Sequence, residues 1–208
     1  MWCWAKEQYV EFRRLFRAGQ QAFQHSLAEV EAAATTTLNF ENALVPGLLQ
    51  TAEYARAMLS ERLEDLAGVD DVDEAVAARM QRQQVLYRTG KRFHFVVTEA
   101  VLRYRLSVPE VMAGQLDRLV TLSTLTTIRF GVIPFHVQLP VFPLHGFFVY
   151  DQQAVHVEHF TAALKLTQPA EVAAYGKIFG QLAGVAEYGA RARSLITRAL
   201  ADLAAPVE

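Results

Sequence analysis

The stretch RFHFVVTEAVLRYRL, Arg92–Leu106, decides the fold class of this chain of 208 residues. Its first half is strand-like, because aromatic and β-branched residues run from Phe93 to Thr98 and pack well on a pleated surface. Glu99 closes the apolar run, and a helical segment with two arginines follows it. Strand and helix therefore alternate in the middle of the chain, which is typical of mixed α/β proteins.

The next segments extend this alternation. A helix is predicted from Pro109, because proline suits the first helical turn. TIRFGVIPF is nearly all apolar, as expected for a strand covered on both faces. HGFFVYD and AVHVEHF then predict two strands that form a hairpin around Gln152 and Gln153.

Helices are predicted at both ends of the chain. Apolar residues at spacings of three, four and seven indicate a helix from about Lys6 to Thr35, and two more helices are predicted within residues 169–203. We therefore expect an α+β (mixed α/β) fold, with a sheet of about four strands and helices from both ends of the chain packed on it. No linker rich in Pro, Gly or Ser divides the sequence, which predicts a single domain over residues 1–208.

Composition and charge argue against several classes of protein. Hydrophobic residues make up 52% and charged residues 20% of the chain, which argues against global disorder. The chain has 20 Lys plus Arg residues and 22 Asp plus Glu residues. It therefore lacks the clustered basic excess that supports nucleic-acid binding. We expect no nucleic acid to bind through this chain alone.

Three further features of the sequence indicate where in the cell the protein lies. No apolar run reaches the ~18 residues of a membrane span, so no membrane partner is expected. Cys3 is the only cysteine, which excludes an internal disulfide. The N-terminal sequence lacks the apolar core of a signal peptide, and we expect a cytoplasmic protein.

Familiar catalytic signatures do not occur in the sequence. It has no phosphate loop, no nucleotide-type glycine-rich turn and no nucleophile elbow. His156, Glu158 and His159 are close in sequence, but along a strand residues 156 and 158 share one face and 159 lies on the other, which does not make a metal triad. We expect no metal and no cofactor.

Glu99 is the first candidate for a binding site. A carboxylate at the end of a buried strand needs a partner, because an unpaired buried charge is costly. One interpretation is a structural ion pair with Arg82 or Arg103. The other is that Glu99 and Arg103 face a ligand, since open α/β sheets bind ligands beyond the carboxyl ends of their strands.

The segment GVIPFHVQLPVFPLHGFFVYD is the second candidate. Three prolines and several aromatic residues predict a stiff, apolar loop between strands, with His136, Gln138 and His145 as polar tips. Pockets for small organic molecules have this composition. The alternative is a loop that only packs over a helix. The aromatic residues expected in the pocket are Phe135, Phe142, Phe147 and Tyr150.

Two helical segments supply polar candidates. In VPGLLQTAEYARAML a Pro-Gly turn precedes a helix, and we predict that Gln50 and Tyr54, one turn apart, face a pocket shared with Glu99 and the loop. ARMQRQQVLYR places Arg82 and Gln83 beside a further arginine, where they could clamp a carboxylate or a phosphate. The alternative for this group is a solvated flank of the helix.

Several of these segments together resemble a known family. PGLLQTAEYARAML, VAARMQRQQVL, FVVTEAVLR, QLDRLVTLS, IRFGVIPF, HGFFVYD and VHVEHF, in this order, resemble an actinobacterial domain of unknown function. That domain usually follows an XRE-type helix-turn-helix in transcriptional regulators, some of them antitoxin-like. The resemblance runs from about Phe12 to Leu203 and implies a regulatory or effector module, without assigning catalytic residues. Residues 1–40 do not show the second short helix of a helix-turn-helix, so no DNA-reading headpiece is expected.

Three functions remain open at this point. The first is a sensor domain that binds an apolar organic metabolite, with a homodimer possible. The second is a free-standing, cofactor-independent enzyme such as a cyclase, isomerase or pericyclase of a secondary-metabolite pathway, with Glu99, His136 or Glu158 as acid or base. The third is a protein-interaction module that uses the apolar face of the C-terminal helix. The ligand-binding candidates are Gln50, Tyr54, Arg82, Gln83, Arg103, Phe135, Phe142, Phe147 and Tyr150.

Overall fold

The computed structural model describes residues 8–61 and 71–203. Cys3 and the predicted helix start at Lys6 lie outside these residues. Eight strands of the described chain form one mixed sheet. The strands are β1 (Gln8–Glu11), β2 (Thr36–Glu41), β3 (Arg92–Thr98), β4 (Ile128–Ile133), β5 (Phe147–Tyr150), β6 (Ala154–Glu158), β7 (Ala162–Leu166) and β8 (Glu187–Tyr188).

The prediction of about four strands is wrong, because the described sheet has eight, in the order β1-β7-β6-β5-β2-β3-β4-β8. The four predicted strands are β3, β4, β5 and β6. β2 lies in TTTLNF, which the sequence marks only as the end of a helix, and β1 lies within the helix predicted from Lys6 to Thr35. β1 pairs with β7, with Gln8 beside Lys165, and a partner so distant in sequence leaves no local signal.

The central strands are parallel, since β3 lies between β2 and β4 and runs parallel to both. Their carboxyl ends therefore share one edge of the sheet. β5 lies antiparallel beside β2, with Phe147 opposite Phe40, so β5 begins at this same edge. Residues 134–146 join β4 to β5 and consequently cross the carboxyl ends of β3 and β2; we call them the crossing loop.

The predicted hairpin between β5 and β6 is confirmed. Asp151 and Gln152 have φ angles of 48° and 55°, the left-handed conformation of the two central residues of a type I′ turn, which the Gln153 N–H closes by donating to the Tyr150 carbonyl at 2.9 Å. The carboxylate of Asp151 also accepts hydrogen bonds from the backbone N–H groups of Thr35 and Thr36, at 3.0 and 2.7 Å. The turn is thereby fastened to the start of β2.

Helices cover both faces of the sheet. None of the described helices is long and apolar enough to cross a membrane. The helices are α1 (Phe12–Leu15), α2 (Gln20–Ala33), α3 (Ala52–Glu61), α4 (Val72–Arg82), α5 (Glu99–Arg103), α6 (Pro109–Leu122), α7 (Pro169–Gly184) and α8 (Gly189–Leu203).

Each sheet face has its own hydrophobic core. Phe93, Phe95 and Phe130 pack with α6 and α8 on one face, and Phe40 and Val149 pack with α7 on the other. This division follows from the two-residue period of a strand, which sends successive side chains to opposite faces.

The C-terminal helix α8 turns its apolar side inward. Leu195, Ile196 and Ala199 are buried in the first core. The apolar face that the protein-interaction hypothesis invokes is therefore covered by the protein itself.

Candidate functional site

Glu99 begins α5 at the end of β3, and both of its carboxylate oxygens are engaged. Oε1 accepts a hydrogen bond from Nε of Arg103 at 2.7 Å, and Oε2 accepts one from the backbone N–H of Phe135 at 3.0 Å. Burial favours the neutral acid, but the Phe135 amide and the Arg103 guanidinium outweigh it and lower the pKa of Glu99. Its ionic partner is thus Arg103 rather than Arg82, and the carboxylate fastens the start of the crossing loop.

Further contacts hold the other end of the crossing loop. The side chain of Asn42 donates a hydrogen bond to the carbonyl of Pro143 at 2.7 Å. Nε2 of His145 lies 2.9 Å from the hydroxyl of Tyr175 on α7. These anchors add to the restricted backbone of three prolines, so both ends of the loop are fixed and its backbone has few accessible conformations.

The crossing loop forms a groove of about 540 Å³ that is open to solvent. Leu139 and Val141 also pack against the second core, which fixes the floor of the groove. Phe142 is 84% exposed and stands at its rim. The residues that line the groove are all apolar: Val137, Leu139, Pro140, Val141 and Phe142.

The aromatic residues predicted for one pocket are distributed over different surroundings. Phe142 lines the groove, and Phe135 is exposed, as is His136. Phe147 and Tyr150 are buried on β5. They are three residues apart along a strand, so their side chains lie on opposite faces of the sheet.

Gln50 and Tyr54 are buried and both bond to the backbone of Val45. Nε2 of Gln50 donates to the Val45 carbonyl at 2.8 Å, and the Val45 N–H donates to the Tyr54 hydroxyl at 3.3 Å. Burial raises the pKa of Tyr54 to about 12. Among the described residues, no hydrogen bond or ion pair joins either side chain to Glu99, and their visible role is to fix the Pro-Gly turn before α3.

Arg79 and Arg82 lie on the buried side of α4 rather than on a solvated flank, since each is 7% exposed. Both donate to Oε1 of Gln24 on α2, from Nε of Arg79 at 3.2 Å and from Nη1 of Arg82 at 2.9 Å. Nη1 of Arg79 also donates to Oε1 of Gln50 at 2.6 Å. The two arginines therefore build a polar layer between α2 and α4.

Glu31 supplies the acid of this polar layer. Its Oε2 lies 3.1 Å from Nε of Arg82, and Glu31 is 2% exposed. Burial outweighs the attraction of Arg82 and Arg79 and raises the pKa of Glu31 to about 7. Burial, followed by the charge of Glu31, also raises the pKa of Tyr150 on β5. The layer therefore contains an acid that changes charge near neutral pH.

His156 and Glu158 lie on β6, on the sheet face that also carries Tyr150. Burial and then Lys165 lower the pKa of His156 to about 4, while Glu158 acts in the opposite direction. His159 lies beyond the strand, with its ring 5.9 Å from the ring of His145. Within the part of the chain that the structure describes, no three metal-ligating side chains come together.

Residues 24–198 match the profile of a protein family described as Domain of unknown function (DUF5753). The chain belongs to this family. The predicted resemblance to a domain of unknown function is thereby confirmed. No curated protein matches the chain.

Solved structures resemble the DUF5753 chain weakly. TrmBL2, an archaeal chromatin protein with a novel mode of DNA binding, has a TM-score of 0.43 and 11% identity, over 89% of this chain and 55% of that one. Nuc from Salmonella typhimurium, a phospholipase D family member, has a TM-score of 0.46 and 10% identity, over 88% and 97%. NucT from Helicobacter pylori has a TM-score of 0.46 and 9% identity, over 88% and 99%. The chain spans about half of the archaeal protein, and similarity of this size transfers neither an activity nor a partner.

Sequence reasoning missed several polar residues of the DUF5753 chain. Gln24, Glu31 and Gln115 are buried, although residues of these types are mostly exposed. Gln24 and Glu31 are seven residues apart, which places them on one side of α2. The sequence does show two polar residues at helical spacing in α2, but the same spacing occurs on solvent-exposed helix faces. It therefore does not indicate that Gln24 and Glu31 are buried.

Proposed function

We propose that this chain is the small-molecule-binding effector, or sensor, domain of a helix-turn-helix transcriptional regulator. Its ligand is an apolar organic metabolite that binds in the groove of the crossing loop. The proposal rests on one observation: an open groove of about 540 Å³ lined by apolar side chains, beside the carboxyl ends of parallel strands. That edge is where open α/β sheets most often bind ligands.

The stiffness of the crossing loop supports binding. Glu99 fixes its first residues through the Phe135 amide, and Asn42 fixes its last part through Pro143. A groove whose walls are already ordered loses little conformational entropy when a ligand enters. Apolar ligands gain most from such a surface, because the lining offers contact area and no charged group.

The sensor is favoured over the cofactor-independent enzyme. A cyclase, isomerase or pericyclase that uses general acid–base chemistry needs a titratable group at the ligand. The groove lining has none, and both oxygens of Glu99 are engaged elsewhere. His136 and Glu158 are not among the lining residues.

The resemblance to the actinobacterial family and the balanced charge of the chain support a more specific description of this domain. The domain is of the actinobacterial type that follows an XRE-type helix-turn-helix, it acts in the cytoplasm, and it binds no nucleic acid or membrane itself. A homodimer is possible, since the crossing loop also exposes Phe135 and Leu144 at 63% and 81%.

Binding of N-phenyl-1-naphthylamine, an uncharged fluorescent apolar probe, tests the groove. The fluorescence of the probe should rise with the native chain, and Phe142→Ala should weaken the affinity severalfold. Phe160→Ala is the matched control, because Phe160 is 97% exposed and does not line the groove. Equal affinity of both variants and the native chain would refute the groove as the binding site, provided that circular dichroism shows all three folded.

A further inference from the structure

A second pocket lies on the helical layer, away from the crossing loop. It has a volume of about 400 Å³ and is formed where α3 begins, by the end of α4 with the turn after it, and by α6. Its lining combines polar and apolar side chains, unlike that of the groove. The lining residues are Thr51, Ala52, Met80, Gln83, Gln84, Tyr87 and Arg118.

Arg118 gives this pocket a cationic wall. Its Nη2 donates a hydrogen bond to Oε1 of Gln83 at 2.7 Å, and Nε2 of Gln83 donates to the carbonyl of Gln50 at 2.7 Å. The guanidinium is therefore oriented by a neutral amide that the backbone holds in place. None of the described carboxylates forms an ion pair with Arg118, and its neighbour Asp117 points to solvent.

The Nε atom of Arg118 is the unexplained feature. It is enclosed from solvent, and no described residue accepts its hydrogen. A buried donor without an acceptor costs free energy, more so on a charged group, and native proteins satisfy nearly all such donors. No described carboxylate neutralises this guanidinium, and the side chain is only partly buried. A ligand would therefore meet its solvent-facing end rather than Nε, and the end of an arginine can bind a planar carboxylate through two parallel hydrogen bonds.

The remaining lining defines the rest of the ligand. Met80 and Ala52 are half-buried and apolar, and the ring of Tyr87 is 53% exposed. A bare inorganic anion would leave these surfaces without contact, whereas a ligand with a flat apolar body would cover them. We propose that this pocket binds a small organic carboxylate, with the carboxylate on Arg118 and the apolar body against Met80 and Tyr87.

This site does not depend on the sensor proposal. No residue lines both the groove and the pocket, so each can be tested without the other. The sequence prediction that Gln83 helps to clamp a carboxylate gains a specific form here: Gln83 orients the arginine, and Arg118 meets the ligand.

Nuclear magnetic resonance of the ¹⁵N-labelled full chain tests the pocket, with benzoate as the probe. Benzoate should shift the Nε–H signal of Arg118 and the backbone amides of Thr51 and Gln84 in a saturable manner. Benzamide, which has the same shape and no charge, should bind at least tenfold more weakly. Inorganic phosphate should also bind at least tenfold more weakly, because it lacks the apolar body.

Variants assign the effect to the proposed groups. Arg118→Gln should weaken benzoate binding at least tenfold, while Arg88→Gln, an equal change of charge at an exposed position, should leave it within twofold. If Arg118→Gln does not fold, Tyr87→Ala replaces it and should weaken binding severalfold, since Tyr87 is exposed and its loss spares the core. The proposal is overturned if benzoate shifts none of these signals, if benzamide or phosphate matches it, or if the variant used retains native affinity.

Discussion

The carboxylate of Glu99 and the backbone N–H of Phe135 form a 3.0 Å hydrogen bond that joins the end of β3 to the first residues of the crossing loop. The other oxygen of Glu99 holds Arg103, which in turn meets Asp202 of α8 at 2.6 Å. One acid therefore links a central strand, the loop that carries the groove and the C-terminal helix. Replacing it should loosen all three.

We expect Glu99→Ala to lower the free energy of unfolding by about 1.5–3 kcal/mol, since hydrogen bonds to a charged, buried group are lost. Amide hydrogen exchange at Phe135 and in the rest of the crossing loop should become faster. A purely global loss of stability would instead speed exchange throughout the chain. Glu110→Ala, at an exposed position in the first turn of α6, is the control and should stay within about 0.5 kcal/mol.

The effect of Glu99 should also depend on pH. Its folded-state pKa is lowered from the usual 4.5, so its stabilisation is present above that value and is lost as the pH falls. The difference between the native chain and Glu99→Ala should accordingly shrink in acid. Chemical denaturation at pH 7 and pH 3.5 checks this, and a constant difference would contradict it.

Glu31→Gln should show the opposite dependence on pH. The folded-state pKa of Glu31 is about 7, against 4.5 as the usual value, so its contribution is complete below 4.5 and is lost as the pH rises through 7. Glutamine resembles the neutral acid and does not titrate. The variant should therefore gain stability relative to the native chain between pH 4.5 and 7.5, by up to about 3 kcal/mol.

Urea denaturation across this range measures the gain. Glu29→Gln, the same change at an exposed position on the same helix, is the control variant. A Glu31→Gln variant that loses stability equally at all pH values would show instead that the ion pair with Arg82 outweighs burial.

Gly131→Ala should be destabilising because β4 passes directly against Tyr188. An added Cβ at Gly131 would lie 2.6 Å from a ring carbon of Tyr188, closer than such atoms approach. Forced overpacking of this kind costs about 1–3 kcal/mol. Gly114→Ala is the control: it lies in α6 with nothing within 4 Å, and alanine there should stabilise the helix by about 0.5–1 kcal/mol. Thermal unfolding distinguishes the two, and equal shifts would disprove the contact.

The fold was predictable from the sequence where the signal is local. β3, β4 and the β5–β6 hairpin have the composition or turn that the chain alone displays, and α6 begins at the predicted Pro109. β1 was not predictable, because its only partner β7 is distant in sequence. β7 also pairs with the neighbouring β6, but its sequence AALKL lacks the β-branched and aromatic residues that mark a strand. β8 has two residues, too few to show any period.

The candidate site was predictable in its residue types but not in their contacts. Glu99 at the end of a buried strand signals a partner, and the sequence left Arg82 and Arg103 as alternatives. Arg103 lies one helical turn after Glu99 and is the partner, whereas Arg82 meets Glu31 across two helices. The ion pair between Arg82 and Glu31 depends on how α2 packs on α4, and the residue spacing within one helix does not predict it.

His94 is held neutral beside Tyr188. Nε2 of His94 lies 2.9 Å from the Tyr188 hydroxyl, which donates its own hydrogen to the carbonyl of Ala183 at 3.0 Å. That hydroxyl can then only accept, so Nε2 of His94 carries the proton and donates. Burial and then Arg129 lower the pKa of His94 to about 4.

The usual pKa of histidine is 6.5, so between pH 6.5 and 4 the unfolded chain binds a proton that folded His94 does not, and stability falls as the pH falls. His94→Gln should reduce this slope by up to about 1 kcal/mol per pH unit, less than the full value for one proton because the ring keeps some contact with solvent. His156 titrates in the same direction and should leave a residual slope. Denaturation between pH 4 and 7 measures the slopes, with His25→Gln as the exposed control. An unchanged slope in His94→Gln would mean that folded His94 takes up its proton as the unfolded chain does; Nδ1 would then also carry a hydrogen and would need an acceptor of its own.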